Sequence, residues 1–299
     1  MKPAPFAYAK ARTLAQAVDL LAAEDARVLA GGQSLIATLN MRLSHPSLLI
    51  DINGIDGLGR IVLRNGAIEI GALTRHAQAE RSSEIARHAP LIAMAMPHIG
   101  HPAIRNRGTI GGSVAFADPA AELPACLVAL GAQIDITGPQ GPRTVAADDF
   151  FKGLFETALG PRDVLTAIRV PAATAHTRAG FAEFARRHGD YAMAGLAASA
   201  RADEPGSGRV SGARTSEEPR ADGKGLADIR LVYFGVGSTP VRARQAEAAM
   251  ARGDVDAAVA ALAQDLDPPD DIQSSGTVKH HLAGVLLRRV AKQLMEPRP

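Results

Sequence analysis

Between residues 27 and 39 an aliphatic run, "RVLA", stops at Gly31-Gly32. It passes through polar Gln33 and Ser34 and resumes at the helical spacing of Leu35 and Leu39. A strand that passes into a helix through bare backbone limits the architecture more than any other feature of this chain. The flanks extend the pattern. Thr13 can cap a helix whose apolar positions are Leu14, Ala17, Val18 and Leu21. Leu35, Leu39 and Leu43 form a second helical stripe, and "SLLIDI" (47–52) reads as a strand ended by Asn53-Gly54. Residues 13–52 therefore read helix, strand, glycine turn, helix, strand. This is a small α/β unit with its turn at the carboxyl end of a strand.

The rest of the chain reads as α+β. In "GRIVLRNGAIEIGAL" two strands flank Asn65-Gly66, a strong hairpin signal. "APLIAMAMPHIG" predicts a short buried helix. "AELPACLVALGAQIDITGPQG" predicts a helix, a strand and a turn, and "DVLTAIRVP" a strand that Pro171 ends. After Thr174 three strands follow, in "AGFAEFARR", "YAMAGLAASARA" and "DIRLVYFGVG". Helices are expected at 241–252, 254–264 and 277–295. Strands followed by a run of helices predict a separate layer. The expected organisation is a small α/β subdomain over 1–54, a larger α+β subdomain over 55–175, and a C-terminal domain over 176–299. The last combines a three-stranded antiparallel sheet with a helical bundle. The polar, glycine- and proline-containing stretch 204–225 reads as a mobile surface insertion between two strands.

Several function classes drop out on composition. The net charge of +2 leaves no basic footprint for nucleic acid. No apolar run approaches the length of a membrane span, and the start lacks the apolar core of a secretory signal, so a cytoplasmic protein is expected. The single cysteine, Cys126, excludes an internal disulfide framework and a self-contained iron–sulfur cluster. Its apolar surroundings, "LPACLVAL", read as those of a buried, inert thiol.

A second glycine pair stands in "RGTIGGSVAFADP" (107–119). Consecutive backbone N–H groups in a tight turn make a concavity for anions, and a side chain there would block the approach. A helix starting just beyond adds its positive end. Gly31-Gly32 with Ser34 fits that description, and Gly111-Gly112 with Ser113 fits its tight-turn part. Two such loops can close on a diphosphate from two sides. Each pair taken singly also suits an ordinary turn. Neither a phosphate-binding G-x-x-x-x-G-K-[ST] loop nor the dinucleotide G-x-G-x-x-G pattern is present.

Taken together, "AGGQSL" and "RNRGTIGGS" resemble the paired FAD-binding signatures of the molybdenum hydroxylase flavoprotein subunits. These are the medium chains of carbon monoxide dehydrogenase, nicotine dehydrogenase and their relatives, and the flavin domain of xanthine dehydrogenase. "ADPAAELP" (117–124), "RRHGDYAMAG" (186–195), "GSTPVRARQAEAAM" (237–250) and "HHLAGVLLRRV" (280–290) resemble family segments in the same order. The insertion at 204–225 is the main departure. The resemblance implies that Ala30, Gly31, Gly32, Gln33 and Ser34, with Leu35 beyond them, wrap the FAD pyrophosphate through backbone N–H groups and the Ser34 hydroxyl. Thr109, Ile110, Gly111, Gly112 and Ser113 would form a second wall. Asp118 would accept from ribityl or ribose hydroxyls, Leu165 would lie near the isoalloxazine, and Tyr191 would approach the ring from the other side. From the residues alone, Tyr191 is equally a strand aromatic that is half-buried.

The resemblance also implies a division of labour. A molybdopterin subunit oxidises the substrate, a small subunit with 2Fe-2S clusters relays electrons, and this chain carries FAD and passes them to an external acceptor. The expected protein is thus an oxidoreductase subunit with no catalytic acid–base or metal site of its own. Two rivals stand beside it: a nucleotide-binding or scaffold protein of the same fold without redox activity, and a stand-alone flavin oxidase. His98 and His101 are three apart but lack a nearby carboxylate or third histidine, which argues against a metal site. Arg105 and Arg107 either pair with phosphate or stay solvent-exposed near a subunit contact. "DPPDD" (267–271) reads as a helix stop followed by a turn or cap.

Overall fold

The computed structural model describes residues 2–202 and 225–296; apart from Gly225, the expected insertion lies outside the described residues. The N-terminal unit is β1 (Ala7–Lys10), α1 (Leu14–Leu20), β2 (Ala26–Leu29), α2 (Leu35–Asn40) and β3 (Leu48–Asp51). Its three strands run parallel in the order β1-β3-β2. Thr13 Oγ1 caps α1 by accepting from the Gln16 N–H at 3.1 Å. Leu49 and Ile50 of the central strand are buried. Strand β1 is absent from the sequence pattern. "AYAK" is mostly exposed and carries no apolar alternation, and its pairing with β3 supplies what propensity does not. Helix α2 stops one turn short of the expected stripe. Arg42 takes a left-handed φ of 57°, the Leu43 N–H returns to the Thr38 carbonyl, and Leu43 is exposed.

The middle of the chain contains β4 (Ile61–Arg64), β5 (Ala67–Gly71), α3 (His76–Glu80), α4 (Ser83–His88), α5 (Pro90–Ala95), α6 (Pro102–Arg105), α7 (Ile110–Phe116) and α8 (Glu122–Ala129). There follow β6 (Gln133–Gly138), β7 (Gly141–Ala146), α9 (Ala147–Phe150), β8 (Phe151–Gly153), β9 (Glu156–Thr157) and β10 (Val164–Pro171). A single 3-10 turn, Met96–His98, follows α5. The main sheet has the order β4-β5-β10-β6-β7, with every pair antiparallel, and β8 and β9 form a separate small hairpin. The β4–β5 turn places Asn65 and Gly66 at φ 51° and 75°, the left-handed pair that a two-residue hairpin requires.

The C-terminal part holds β11 (Thr177–Ala185), β12 (Ala192–Ala202), β13 (Leu226–Phe234) and β14 (Val241–Arg242), then α10 (Arg244–Ala251), α11 (Val255–Asp265) and α12 (Gly276–Met295). The three expected strands are present, and the two-residue β14 adds a fourth, short edge that propensity could not mark. The stripe of α12 packs Leu286 and Val290 onto β11 and β12. "DPPDD" does act as a stop and cap. Asp270 accepts from the Gly276 N–H at 2.6 Å, and Asp271 pairs with buried Lys279 at 2.6 Å. Helix α8 joins the two halves. It is buried on every side and packs on β12 and β13, so its apolar residues need no polar face.

Candidate functional site

The first glycine loop bridges β2 and α2. Gly32 has φ +73°, a conformation that L side chains resist. A Cβ on Gly31 would collide with the Arg107 carbonyl and the Cα of Gly108, so this glycine lets the loop press against the second stretch. The loop is held from below. Asn53 Nδ2 donates to the Ala30 carbonyl at 2.8 Å, and Asn53 Oδ1 accepts from Arg75 at 2.7 Å. Among the described residues, the backbone N–H groups of Gly31, Gly32, Gln33, Ser34 and Leu35 donate to no protein acceptor. Ser34 is the N-cap of α2, yet its hydroxyl makes no capping bond and is free to act on a ligand. Five open donors and a free hydroxyl on one rim suit an anion.

The second stretch corrects an expectation. Gly111 and Gly112 do not form a tight turn; they lie in the first turn of α7, and neither has positive φ. The N–H groups of this turn are already engaged. Ile110 donates to Thr74, Gly111 to Ala72, Gly112 to Thr109 Oγ1 and Ser113 to the Thr109 carbonyl, all at 2.9–3.1 Å. Gly111 is glycine because a Cβ would fall 2.5 Å from that of Ala72. Gly112 is glycine because a Cβ would fall 2.6 Å from Thr109 Oγ1, the hydroxyl that caps this helix. This wall therefore offers shape and the Ser113 hydroxyl rather than main-chain donors. Ile110 faces away, wholly buried in the core. Its side chain does not line the cavity.

The two stretches enclose one side of a cavity of about 620 Å³. Ala30, Gly31, Gly32, Gln33, Ser34 and Leu35 line it, as do Thr109, Gly111, Gly112 and Ser113. Asp118, Leu165 and Tyr191 line it as well. Asp118 Oδ1 accepts from the Ala120 N–H at 2.9 Å, and burial pushes its pKa up. Tyr191 is 57% exposed at the rim just before β12. Partial burial of its phenol, then the nearby Asp118 and Glu122, push its pKa up.

Two buried titratable residues of the cavity escaped the sequence reading. Glu122, the first residue of α8, is 7% exposed, and burial, then Glu183 and Asp118, push its pKa up to about 8. The signal was there: a lone carboxylate heading an otherwise apolar helix. His76 is 5% exposed, its two ring nitrogens have no hydrogen-bond partner, and burial pulls its pKa down to about 4. It sits directly behind Gly108, where a Cβ would come 2.9 Å from Nδ1. No local pattern marks it, because only the fold brings it there.

Other candidates have structural roles. Arg105 is buried. It pairs with Glu80 at 2.9 Å and donates to the Gly100 carbonyl at 2.9 Å, so it ties α6 to its neighbours and serves neither phosphate nor solvent. His98 Nδ1 meets Glu183 at 3.1 Å. Cys126 is wholly buried, and burial pushes its thiol up.

Comparison with known proteins agrees with this geometry. Residues 4–173 match the family model described as the FAD binding domain in molybdopterin dehydrogenase, and 179–294 match the CO dehydrogenase flavoprotein C-terminal domain. The 6-hydroxypseudooxynicotine dehydrogenase complex subunit alpha of Paenarthrobacter nicotinovorans is 38% identical over 100% of this chain and 98% of its own. The carbon monoxide dehydrogenase medium chain of Afipia carboxidovorans is 34% identical over 98% of each chain. Among solved structures, reconstituted CO dehydrogenase from Oligotropha carboxidovorans superposes with a TM-score of 0.89 at 32% identity, covering 100% of both chains.

Proposed function

The chain belongs to the family of FAD-binding medium subunits of molybdenum hydroxylase-type dehydrogenases, and from that premise we propose that it holds FAD as an electron carrier. Electrons would arrive from 2Fe-2S clusters in a small partner subunit, after a molybdopterin-bearing large subunit has oxidised the substrate. They would leave to an external acceptor. Bound FAD supplies a carrier that takes up two electrons. This chain positions that group and limits access to it.

The observation that carries the reading is the set of five open N–H groups at Gly31–Leu35, in a loop that lines the cavity together with the first turn of α7 at Gly111 and Gly112. The diphosphate would sit against that rim with help from the Ser34 and Ser113 hydroxyls. Asp118 keeps one carboxylate oxygen free for a sugar or ribityl hydroxyl. Leu165 and Tyr191 would flank the ring. The division at residues 54 and 175 would then separate the loop-bearing unit, the second wall and the Tyr191-bearing domain.

Substrate-driven flavin reduction in the assembled complex tests the function. With the cluster-bearing and molybdenum subunits present, the flavin absorbance should bleach on adding substrate. With this chain alone it should not. Bleaching by substrate without partners would replace the reading with that of a self-sufficient oxidase.

A further inference from the structure

One buried acid in the cavity has no part in holding the cofactor as described. Glu122 lines the cavity at the head of α8, and among the described residues nothing but its own backbone N–H donates a hydrogen bond to it and no cation pairs with it. The charged groups that act on it are both acidic: Asp118, on the segment after α7, and Glu183 on β11. Tyr191 and Cys126 are the other titratable groups that feel its charge. A carboxyl so placed is the neutral acid at neutral pH, since burial and the two carboxylates oppose its charge. Holding an ionisable carboxyl in so buried a place costs stability that an apolar side chain of this size would not. Perturbed acids in clefts of this kind are where proton chemistry is found.

Glu183, whose charge acts on Glu122, is itself linked to a partly exposed histidine. Glu183 Oε2 is buried without a partner, while its Oε1 lies 3.1 Å from His98 Nδ1. The His98 side chain is 34% exposed. Glu183 does not line the cavity.

We propose that Glu122 donates the proton that accompanies electron arrival at the flavin ring, and that Glu183 and His98 return a proton to it from solvent. The proposal rests on the reading that FAD occupies this cavity. The step balances: two electrons come from the cluster-bearing partner, the O–H bond of Glu122 breaks, and one N–H bond forms on the ring. Glu122 is left as a carboxylate, which the Glu183–His98 side reprotonates. Asp118 and Glu183 assist by making that carboxylate unfavourable and so favouring the return.

The test uses the full chain loaded with FAD, Glu122→Gln and Glu183→Gln variants, stopped-flow reduction by dithionite, and an infrared titration of the protonated carboxyl band. The wild type should show that band at neutral pH and lose it as pH rises through about 8. Its reduction rate should fall over the same range. Glu122→Gln should lack the band, lose the pH dependence and be reduced about 10²-fold more slowly, the low end of what a positioned general acid supplies. Wild-type rate and profile in Glu122→Gln at equal FAD content, or no such band in the wild type, overturns the proposal. If Glu122→Gln does not retain FAD, Glu183→Gln decides. Removing that charge should move the infrared midpoint and the rate midpoint down together, and movement of one without the other refutes the coupling. Failure of the wild-type chain to take up FAD would instead refute the cofactor reading.

Discussion

Tyr191 and Asp118 both line the cavity, and the Asp118 charge acts on the Tyr191 phenol, yet they bear on different properties of a bound flavin. Tyr191 is a rim residue, so its loss removes a shield rather than a support. Tyr191→Ala should leave FAD content near that of the wild type and change the rate of flavin reoxidation, as read by stopped flow in the complex. Unchanged reoxidation with an unchanged flavin spectrum would remove Tyr191 from the site. Glu122 and His76, both buried in the cavity wall, give opposite pH signatures in the FAD-free chain. Glu122 is raised from 4.5 to about 8, so its contribution is full below 4.5 and is lost as pH rises toward 8. His76 is lowered from 6.5 to about 4, so its contribution is full above 6.5 and is lost as pH falls toward 4. Between pH 6.5 and 8, Glu122→Gln should gain about 2 kcal/mol relative to wild type. His76→Gln should gain a similar amount, about 2 kcal/mol, as pH falls from 6.5 to 4.5. Denaturant titrations at the three pH values check both signs.

At the scale of elements, the two glycine stretches look alike in sequence and differ in use. Ser34 and Thr109 both head short helices, but only Thr109 caps its own, by accepting from the Gly112 N–H at 3.1 Å. Thr109→Val should therefore cost about 1 kcal/mol of stability. Ser34→Ala should leave stability unchanged and weaken FAD binding. Equal stability losses in the two variants would contradict this division. Gly32→Ala places a Cβ at φ +73° and should cost about 1 kcal/mol in addition to weakening FAD. Periodicity exposed the strand–glycine–helix passage at 28–39, the Asn65-Gly66 hairpin and the long strands, because each obeys a local rule. It missed β1 and β14, which exist through pairing with a neighbour. It also read Gly111-Gly112 as a turn, since a glycine required by close packing on Ala72 looks the same in sequence as one required by φ.

Across the whole molecule, the cavity depends on both halves of the chain. The loops and Asp118 come from the first, and Tyr191 from the segment leading into β12. Helix α8 and the Glu183–His98 contact fasten the halves together. The paired motifs made the cavity's main wall legible in the sequence. His76 was not, because only the fold brings it there, and of Glu122 the sequence showed a lone carboxylate heading an apolar helix but not its burial and charge crowding, which are properties of the folded chain rather than of spacing. No helix among the described residues is long and apolar enough to cross a membrane. The partner subunits enter through the family, and only the assembled complex can display their electron supply. The claim beneath all of this is that the open rim at Gly31–Leu35 holds the diphosphate of FAD. The most direct measurement is the flavin content of the chain purified with its partners and desalted, the released cofactor being identified as FAD or FMN. One FAD per chain is expected for the wild type, with loss of FAD in a folded Gly32→Val variant. A colourless, folded wild type, or full FAD retention in Gly32→Val, would contradict the account.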